Sequence, residues 1–463
     1  MSHVSDAESE RLLALGDDIV RRAIAGGATV AECTARSGSE LSAKVRLGEV
    51  ELVEEAAHSG VGLRVMRGKR VASTSTCDLS ESGIARFVAD ALELAELAQE
   101  DPFAGPVDPS LLCDPRGLGS LELHDPACAG IDAAEAIARA RKAEKAALSS
   151  DVRLSNSEGA TFSRTEGSSA VVLSSGFRAT TRGSYASLSV VPVAEDANDK
   201  KRRGFYYDAR RHLADLMSPE AIGAEAARRT LRKLGARSVP TGEFPVVFDP
   251  DAARSLLGLL GGCILGGSIW RRASYLCDKE GEQIAAPSIT IVDDPLIVRG
   301  PGSRLFDGEG VASRRNVVVE NGVLRTYLCD SYSARKLGRE TTANASRGGG
   351  AGVGPSTTNF VLQAGRESPE SIVKGTARGL YVTEMMGFGF NAVTGDFSRG
   401  AAGFWIENGE FAYPASEATI SLNLRDLWTR IDAVGSDLDL RSSIACPTLR
   451  VARMTVAGSA EGA

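Results

Sequence analysis

The sequence predicts an α+β protein: an N-terminal α/β region built around an antiparallel sheet, and a C-terminal domain dominated by antiparallel β-sheet with a few helices. Segments with three-to-four apolar spacing and segments with strict alternation fall in separate blocks, not in βαβ succession. Two Asn-Gly pairs, Asn321-Gly322 and Asn408-Gly409, stand between alternating apolar residues, as two-residue hairpins require. Fifty glycines and only 5% aromatics point to many turns and an aliphatic core.

The elements follow in order. Leu12, Leu15, Ile19 and Ala23 recur at helical spacing and predict a helix over about 8–25, stopped by Gly26-Gly27. Residues 28–77 then alternate, with turn signals at Gly48 and Gly68-Lys69, and read as an antiparallel meander. Ile84, Phe87, Val88, Ala91 and Ala95 predict a helix over about 80–99, and an alanine-rich helix is expected over about 131–148. Residues 151–195 return to strands. Ser218-Pro219 starts a helix that runs to about Leu234, with Gly235 as its left-handed stop. Residues 237–242 read as a linker. It divides the chain into a domain over 1–236, with a middle region from about 110 to 236, and a C-terminal domain over 243–458. That second domain opens with a strand over 244–248 and a helix capped by Asp249 that carries Leu256, Leu257 and Leu260. Gly458-Ser459-Ala460-Glu461-Gly462-Ala463 reads as a flexible tail.

Composition narrows the function. A net charge of −7 without long single-sign blocks argues against nucleic-acid binding, which needs many phosphate contacts. The first residues carry no signal peptide, and no window resembles a membrane span. Eight cysteines lie far apart without a C-x-x-C pair and read as reduced thiols. The expectation is a cytoplasmic protein with no nucleic-acid and no membrane partner.

Catalytic motifs are scarce. The chain has four histidines, His3, His58, His124 and His212, with no H-E-x-x-H, so they read as structural or solvated. Ser333-Ala334-Arg335-Lys336 matches S-x-x-K, in which a lysine one turn away could deprotonate a serine, but the accompanying S-D-N is absent. The plain reading is a helix surface with a basic end. Arg347 to Pro355 reads as a flexible surface loop and not a phosphate cradle. Met385-Met386-Gly387-Phe388-Gly389-Phe390 interleaves bulky residues with glycine, which suits either a tight sheet corner or a close backbone approach at an interface.

Several segments in order nevertheless resemble the TldD/PmbA family. They are Phe306-Asp307-Gly308-Glu309-Gly310-Val311, Glu320 to Leu324, Ser331 to Gly338, Asn391 to Gly409, and Gly60 to Thr76. The resemblance implies two branches. The TldD branch is a metallopeptidase whose H-E-x-x-x-H helix supplies two zinc-binding histidines and a glutamate base, with a later cysteine helping. The PmbA branch, also called TldE, is its partner and lacks that motif. In this sequence the corresponding helix is Leu256 to Gly267; Gly258 and Cys263 stand where the histidines would be, Leu259 where the glutamate would be, and Cys446 near the later cysteine. The resemblance therefore implies the PmbA branch: no catalytic or metal residue in this chain, no cofactor here, and zinc in a TldD-like partner. It further implies a heterodimer that encloses unfolded or small peptides, for peptide maturation, antitoxin turnover or modulation of DNA gyrase inhibitors. Gly258, Cys263, Gly387, Gly389 and Cys446, with the glycines near 348–354, are expected to line the cavity or the interface. Two alternatives remain open at this point: a stand-alone serine hydrolase using Ser333 and Lys336, and a non-enzymatic homodimeric peptide-binding protein.

Overall fold

A computed structural model describes residues 3–197, 199–348 and 351–458. Helix makes up 26% and strand 39%, in antiparallel and mixed sheets, so the fold is α+β as expected.

The N-terminal unit starts with α1 (His3–Ala25). The meander follows as β1 (Val30–Arg46), β2 (Glu49–Arg67) and β3 (Arg70–Thr76). Next come α2 (Glu81–Leu97), whose N-cap Ser80 accepts the Gly83 N–H, α3 (Pro126–Ala129) and α4 (Ala133–Leu148). Strands β4 (Asn156–Leu173), β5 (Arg178–Glu195), β6 (Lys201–Arg203) and β7 (Tyr206–Arg210) precede α5 (Pro219–Leu231), capped by Ser218 as the sequence predicts. All seven strands join one sheet in the order β3-β2-β1-β4-β5-β6, with β7 also on β5. Alternation gives this sheet two different faces. On the apolar one, Cys33, Ala35, Val61 and Leu63 point toward α1 and α2 at one end, and Leu41, Ala43 and Phe162 toward α4 and α5 at the other. The opposite face carries Glu32, Thr34 and Arg36, in register with Arg64, Gly62 and Gly60. That polar face meets the second unit.

The second unit runs through β8 (Gly242–Phe248), α6 (Pro250–Cys263), α7 (Gly266–Trp270), β9 (Ile291–Asp293), β10 (Asn316–Glu320) and β11 (Val323–Leu324). It continues with α8 (Ser331–Lys336), β12 (Ala345–Arg347), β13 (Val353–Pro355), β14 (Phe360–Leu362) and α9 (Pro369–Lys374). The last elements are β15 (Arg378–Met386), β16 (Asp396–Glu407), β17 (Glu410–Asn423), α10 (Leu424–Thr429), β18 (Ile431–Val434), β19 (Ile444–Ala445) and β20 (Leu449–Gly458). Both Asn-Gly pairs turn hairpins, β10–β11 and β16–β17, and all four residues have positive φ, as that turn demands.

Pairing runs β17-β16-β15-β8-β20, and β20 pairs back onto β17, so five strands close on themselves as a barrel and leave no open edge among them. Most pairs are antiparallel, but β8–β15 and β14–β19 are parallel. Helix α6 packs on β8, β15 and β19, and its Leu256, Leu257 and Leu260 join Phe248 and Trp405 in the main core.

Three readings of the sequence are corrected here. The helix over α6 breaks at Ile264, whose neighbour Leu265 is extended, before α7 starts. Residues 345–355 are not simply a loop: Arg347 pairs with Val353 in the β12–β13 hairpin, although Gly349 and Gly350 lie outside the described residues. Of the expected tail, Gly458 belongs to β20, and residues 459–463 lie outside the described residues.

Candidate functional site

Asp249 fixes the start of α6: its carboxylate accepts the Ala252 N–H at 2.8 Å, and burial pushes its pKa up to about 7. Two turns on, Gly258 is half-buried, and a side chain there would first meet Ile444 of β19 at 3.4 Å. Leu259 packs its partly buried side chain against the main core. Cys263 is 1% exposed, and burial raises its thiol to about 11. Cys446, also 1% exposed, lies fully within the core, and burial raises its thiol well above the ordinary range. Cys263 and Cys446, expected on a cavity wall, are thus core side chains held as neutral thiols. Their burial is what a small apolar residue in a helix–sheet seam undergoes.

The S-x-x-K pair is separated by its own helix. Ser333 is 1% exposed, not on a surface; its hydroxyl donates to the Asp330 carboxylate and its N–H bonds the same group at 2.9 Å. It belongs to the cap of α8. Lys336 turns the other way, over the rings of Phe103 at 4.3 Å, Trp270 at 5.1 Å and Tyr332 at 5.3 Å, and pairs with Asp101 at 3.4 Å. Both residues are spent on structure, so no serine–lysine dyad forms.

Gly387 and Gly389 flank Phe388, which is 96% exposed, just past β15. Gly387 has φ +81°, and a side chain on Gly389 would lie 1.9 Å from the Ser398 carbonyl. The segment is a tight corner against β16, held by the Ser398 N–H donating to the Gly389 carbonyl at 2.9 Å. It is exposed.

The segment Phe306 to Val311 does different work from catalysis. Phe306 meets Phe177 of the N-terminal unit edge-on at 5.2 Å, and Gly310 lies so close to Phe177 that a side chain would be 2.8 Å from the ring. Asp307 accepts the N–H groups of Glu309, Val311 and Ala345. Glu309 is 2% exposed, accepts the Ser331 N–H at 2.9 Å, and is pushed up to about 7 by burial and then by Asp307. Beside this turn, Arg347 reaches across to the first sheet. Its guanidinium meets Glu32 at 2.6 Å, and Arg64 meets the same oxygen at 3.0 Å, with all three residues under 9% exposed. Burial opposes the Glu32 charge, but the two guanidinia prevail and hold its carboxyl below the ordinary carboxylate range. Sequence reading missed this clasp because its partners are 315 residues apart.

Glu309 predicts a pH effect. Its pKa is raised on folding, so the folded chain holds the proton more tightly, and stability falls as pH rises from about 4.5 to about 7. Glu309→Gln keeps the acceptor oxygen and removes the titration. The variant is expected to be about 2–3 kcal/mol more stable than the native chain at pH 8 and close to it at pH 5. Thermal melts across pH 5–8 test this; parallel melting curves for the two proteins would refute it.

Among the described residues, no three His, Cys, Asp or Glu side chains come together to hold a metal. At the expected positions, glycine offers no ligand, leucine no base, and the buried thiol no accessible thiolate, so these residues do not fit a catalytic zinc. No described helix is long and apolar enough to cross a membrane.

An N-terminal sheet clasped to a second unit that contains a closed five-stranded barrel is the architecture of a known metallopeptidase family. The chain belongs to the PmbA/TldD family: the models for PmbA/TldA metallopeptidase domain 1, central domain and C-terminal domain match residues 31–95, 126–234 and 241–458. It is 39% identical to metalloprotease PmbA of Escherichia coli O157:H7 over 99% of each chain. A solved structure from Bacteroides thetaiotaomicron, named as a modulator of DNA gyrase, is 28% identical with a TM-score of 0.89, covering 96% of this chain and 98% of that one. TldE from Thermococcus kodakarensis shares the fold at 22% identity and a TM-score of 0.85, covering 96% of this chain and 100% of its own.

Proposed function

We propose that this chain is the PmbA-type, non-catalytic subunit of a two-chain metallopeptidase and holds extended peptide for a TldD-like partner that carries the zinc. The observation that carries the reading is the content of α6: Gly258, Leu259 and Cys263 stand where the resemblance puts two metal ligands and a base, none of them can serve as such, and Cys263 is buried. A free sheet edge supports the peptide-holding part. Strand β3 pairs with β2 only from Val61 to Arg67, so the outer edge of Glu49 to Gly60 has no strand beside it among the described residues. Its residues are exposed, including Val50, Leu52 and Val53. An extended peptide can add to such an edge through main-chain hydrogen bonds.

The test is co-expression with an H-E-x-x-x-H-bearing relative, then zinc content and peptidase activity of each chain and of the complex. The expected result is a stable complex that hydrolyses unfolded peptide, while this chain alone has neither stoichiometric zinc nor activity. Chelator-sensitive hydrolysis by this chain alone would sink the reading, and so would failure of the two chains to associate.

A further inference from the structure

The polar face of the first sheet holds a cavity of about 390 Å³, lined by Thr34, Arg36, the stretch from His58 to Gly62, and Ser75 to Cys77. Alternation explains its shape. Thr34 and Arg36 project from β1 opposite Gly62 and Gly60 of β2, and glycine leaves a trough where other strands would fill the face. A side chain at Gly62 would meet the Ala351 backbone at 3.1 Å, so the trough runs beneath the edge of the second unit. His58 lies over Gly38 farther along the same face, and the exposed thiol of Cys77 marks the mouth.

Two features of the trough are unbalanced. Arg36 is half-buried and donates a hydrogen bond to the Arg347 carbonyl at 2.7 Å; no carboxylate pairs with it among the described residues. The nearby Glu32 is already committed to Arg64 and Arg347. Burial and the Arg347 charge both work against the Arg36 cation. Thr34 is 4% exposed, and its hydroxyl has no hydrogen-bond partner among the described residues. A buried hydroxyl left unpaired is costly, and so is a guanidinium out of water without an anion. One anionic oxygen pair in the trough would answer both, accepting from the guanidinium and from the hydroxyl.

We propose that this trough binds a peptide carboxylate. The inference rests on the peptide-holding reading above and gives that site a chemical preference. One uncompensated cation suits a monoanion. The trough also lies where β3 ends and the free edge of β2 begins, so a peptide added to that edge runs directly past it. Over Gly60 stand the Thr76 carbonyl and the Cys77 thiol, 3.1 and 3.5 Å from where a side chain would begin, so a strand added two spacings, about 10 Å, from β1 meets the trough at the mouth that Cys77 marks.

Cys77 supplies the probe. Its alkylation by iodoacetamide, followed by mass spectrometry of the full-length chain, is measured with N-acetyl tetra-alanine as the free acid, as the C-terminal amide, and as an amide with one Asp. The free acid is expected to slow Cys77 alkylation in a saturable way, and the plain amide to protect about tenfold less well. Protection by the Asp-containing amide would support carboxylate recognition through a side chain as well. Thr34→Val removes a hydroxyl that has no partner in the free chain. It should leave thermal stability unchanged or raised while weakening protection by about tenfold, and Arg36→Gln should abolish the preference for acid over amide. Equal protection by acid and amide overturns the carboxylate assignment while leaving the peptide reading standing. Absence of protection by every peptide overturns it together with peptide holding at this edge. Unchanged protection in a folded Thr34→Val variant with lowered stability would show the hydroxyl to be structural and overturn the proposal.

Discussion

Replacing Glu32 by Ala is expected to lower the unfolding free energy by about 3–5 kcal/mol, because two buried guanidinia lose their shared anion. The pair Arg64 and Arg347 would then face each other at 7% and 8% exposure without compensation. Arg347 is also tied to the Gly308 carbonyl at 2.5 Å, so it cannot simply swing into solvent. The damage should be greatest at the seam between the units, and proteolysis near residues 345–347 should accelerate. Glu32→Gln, which keeps one acceptor oxygen, should cost less. Urea unfolding of the three proteins measures the effect; a Glu32→Ala loss below about 1 kcal/mol would mean that the clasp contributes little.

Trp405→Ala is expected to cost a similar amount, about 3–5 kcal/mol, by a different route. Trp405 is 0% exposed at the centre of the second unit's core. Phe244 of β8 packs edge-on against its ring at 5.0 Å, the Arg378 guanidinium lies 5.5 Å from the ring centroid, and its indole N–H donates to Glu407 at 3.0 Å. Truncation empties space on both β8 and β16, and closed pairing gives those strands little freedom to collapse into it. Trp405→Phe should retain most of the stability. Calorimetry on both variants checks the ranking, and a Trp405→Phe loss as large as that of Ala would point to the indole hydrogen bond as the dominant contribution.

Local features were legible in the sequence because their causes are local. The meander over 28–77 follows from alternation and from Gly48 and Gly68, and α5 follows from Ser218-Pro219. The hairpins at Asn321 and Asn408 follow from backbone geometry that asparagine and glycine tolerate. Barrel closure was not legible, since the pairing of Thr419 with Ala457 depends on how distant strands stack. The α6 break at Ile264 was hidden because apolar spacing continues through it. For the candidate site, the absence of ligand chemistry at Gly258, Leu259 and Cys263 was readable by position. The interior placement of Cys263 and Cys446 was not, because a cysteine in an apolar run looks the same on a cavity wall as in a core. The glycines at 60 and 62 were legible as members of an alternating strand, but their effect, which is to hollow out one face of it, was not.

The closed ring of strands also sets a timetable. Strand β8 must wait for β20, with about 200 residues between Phe248 and Leu449, before its second edge is covered. At ribosomal speeds of roughly 5–20 residues per second, that interval lasts about 10–40 s. Throughout it, the apolar Val246, Val247 and Phe248 present an unsealed edge beside a helix that has already been made. The nascent chain is therefore most vulnerable to strand-on-strand aggregation late in synthesis, and a chaperone that shields β8 would act during that delay.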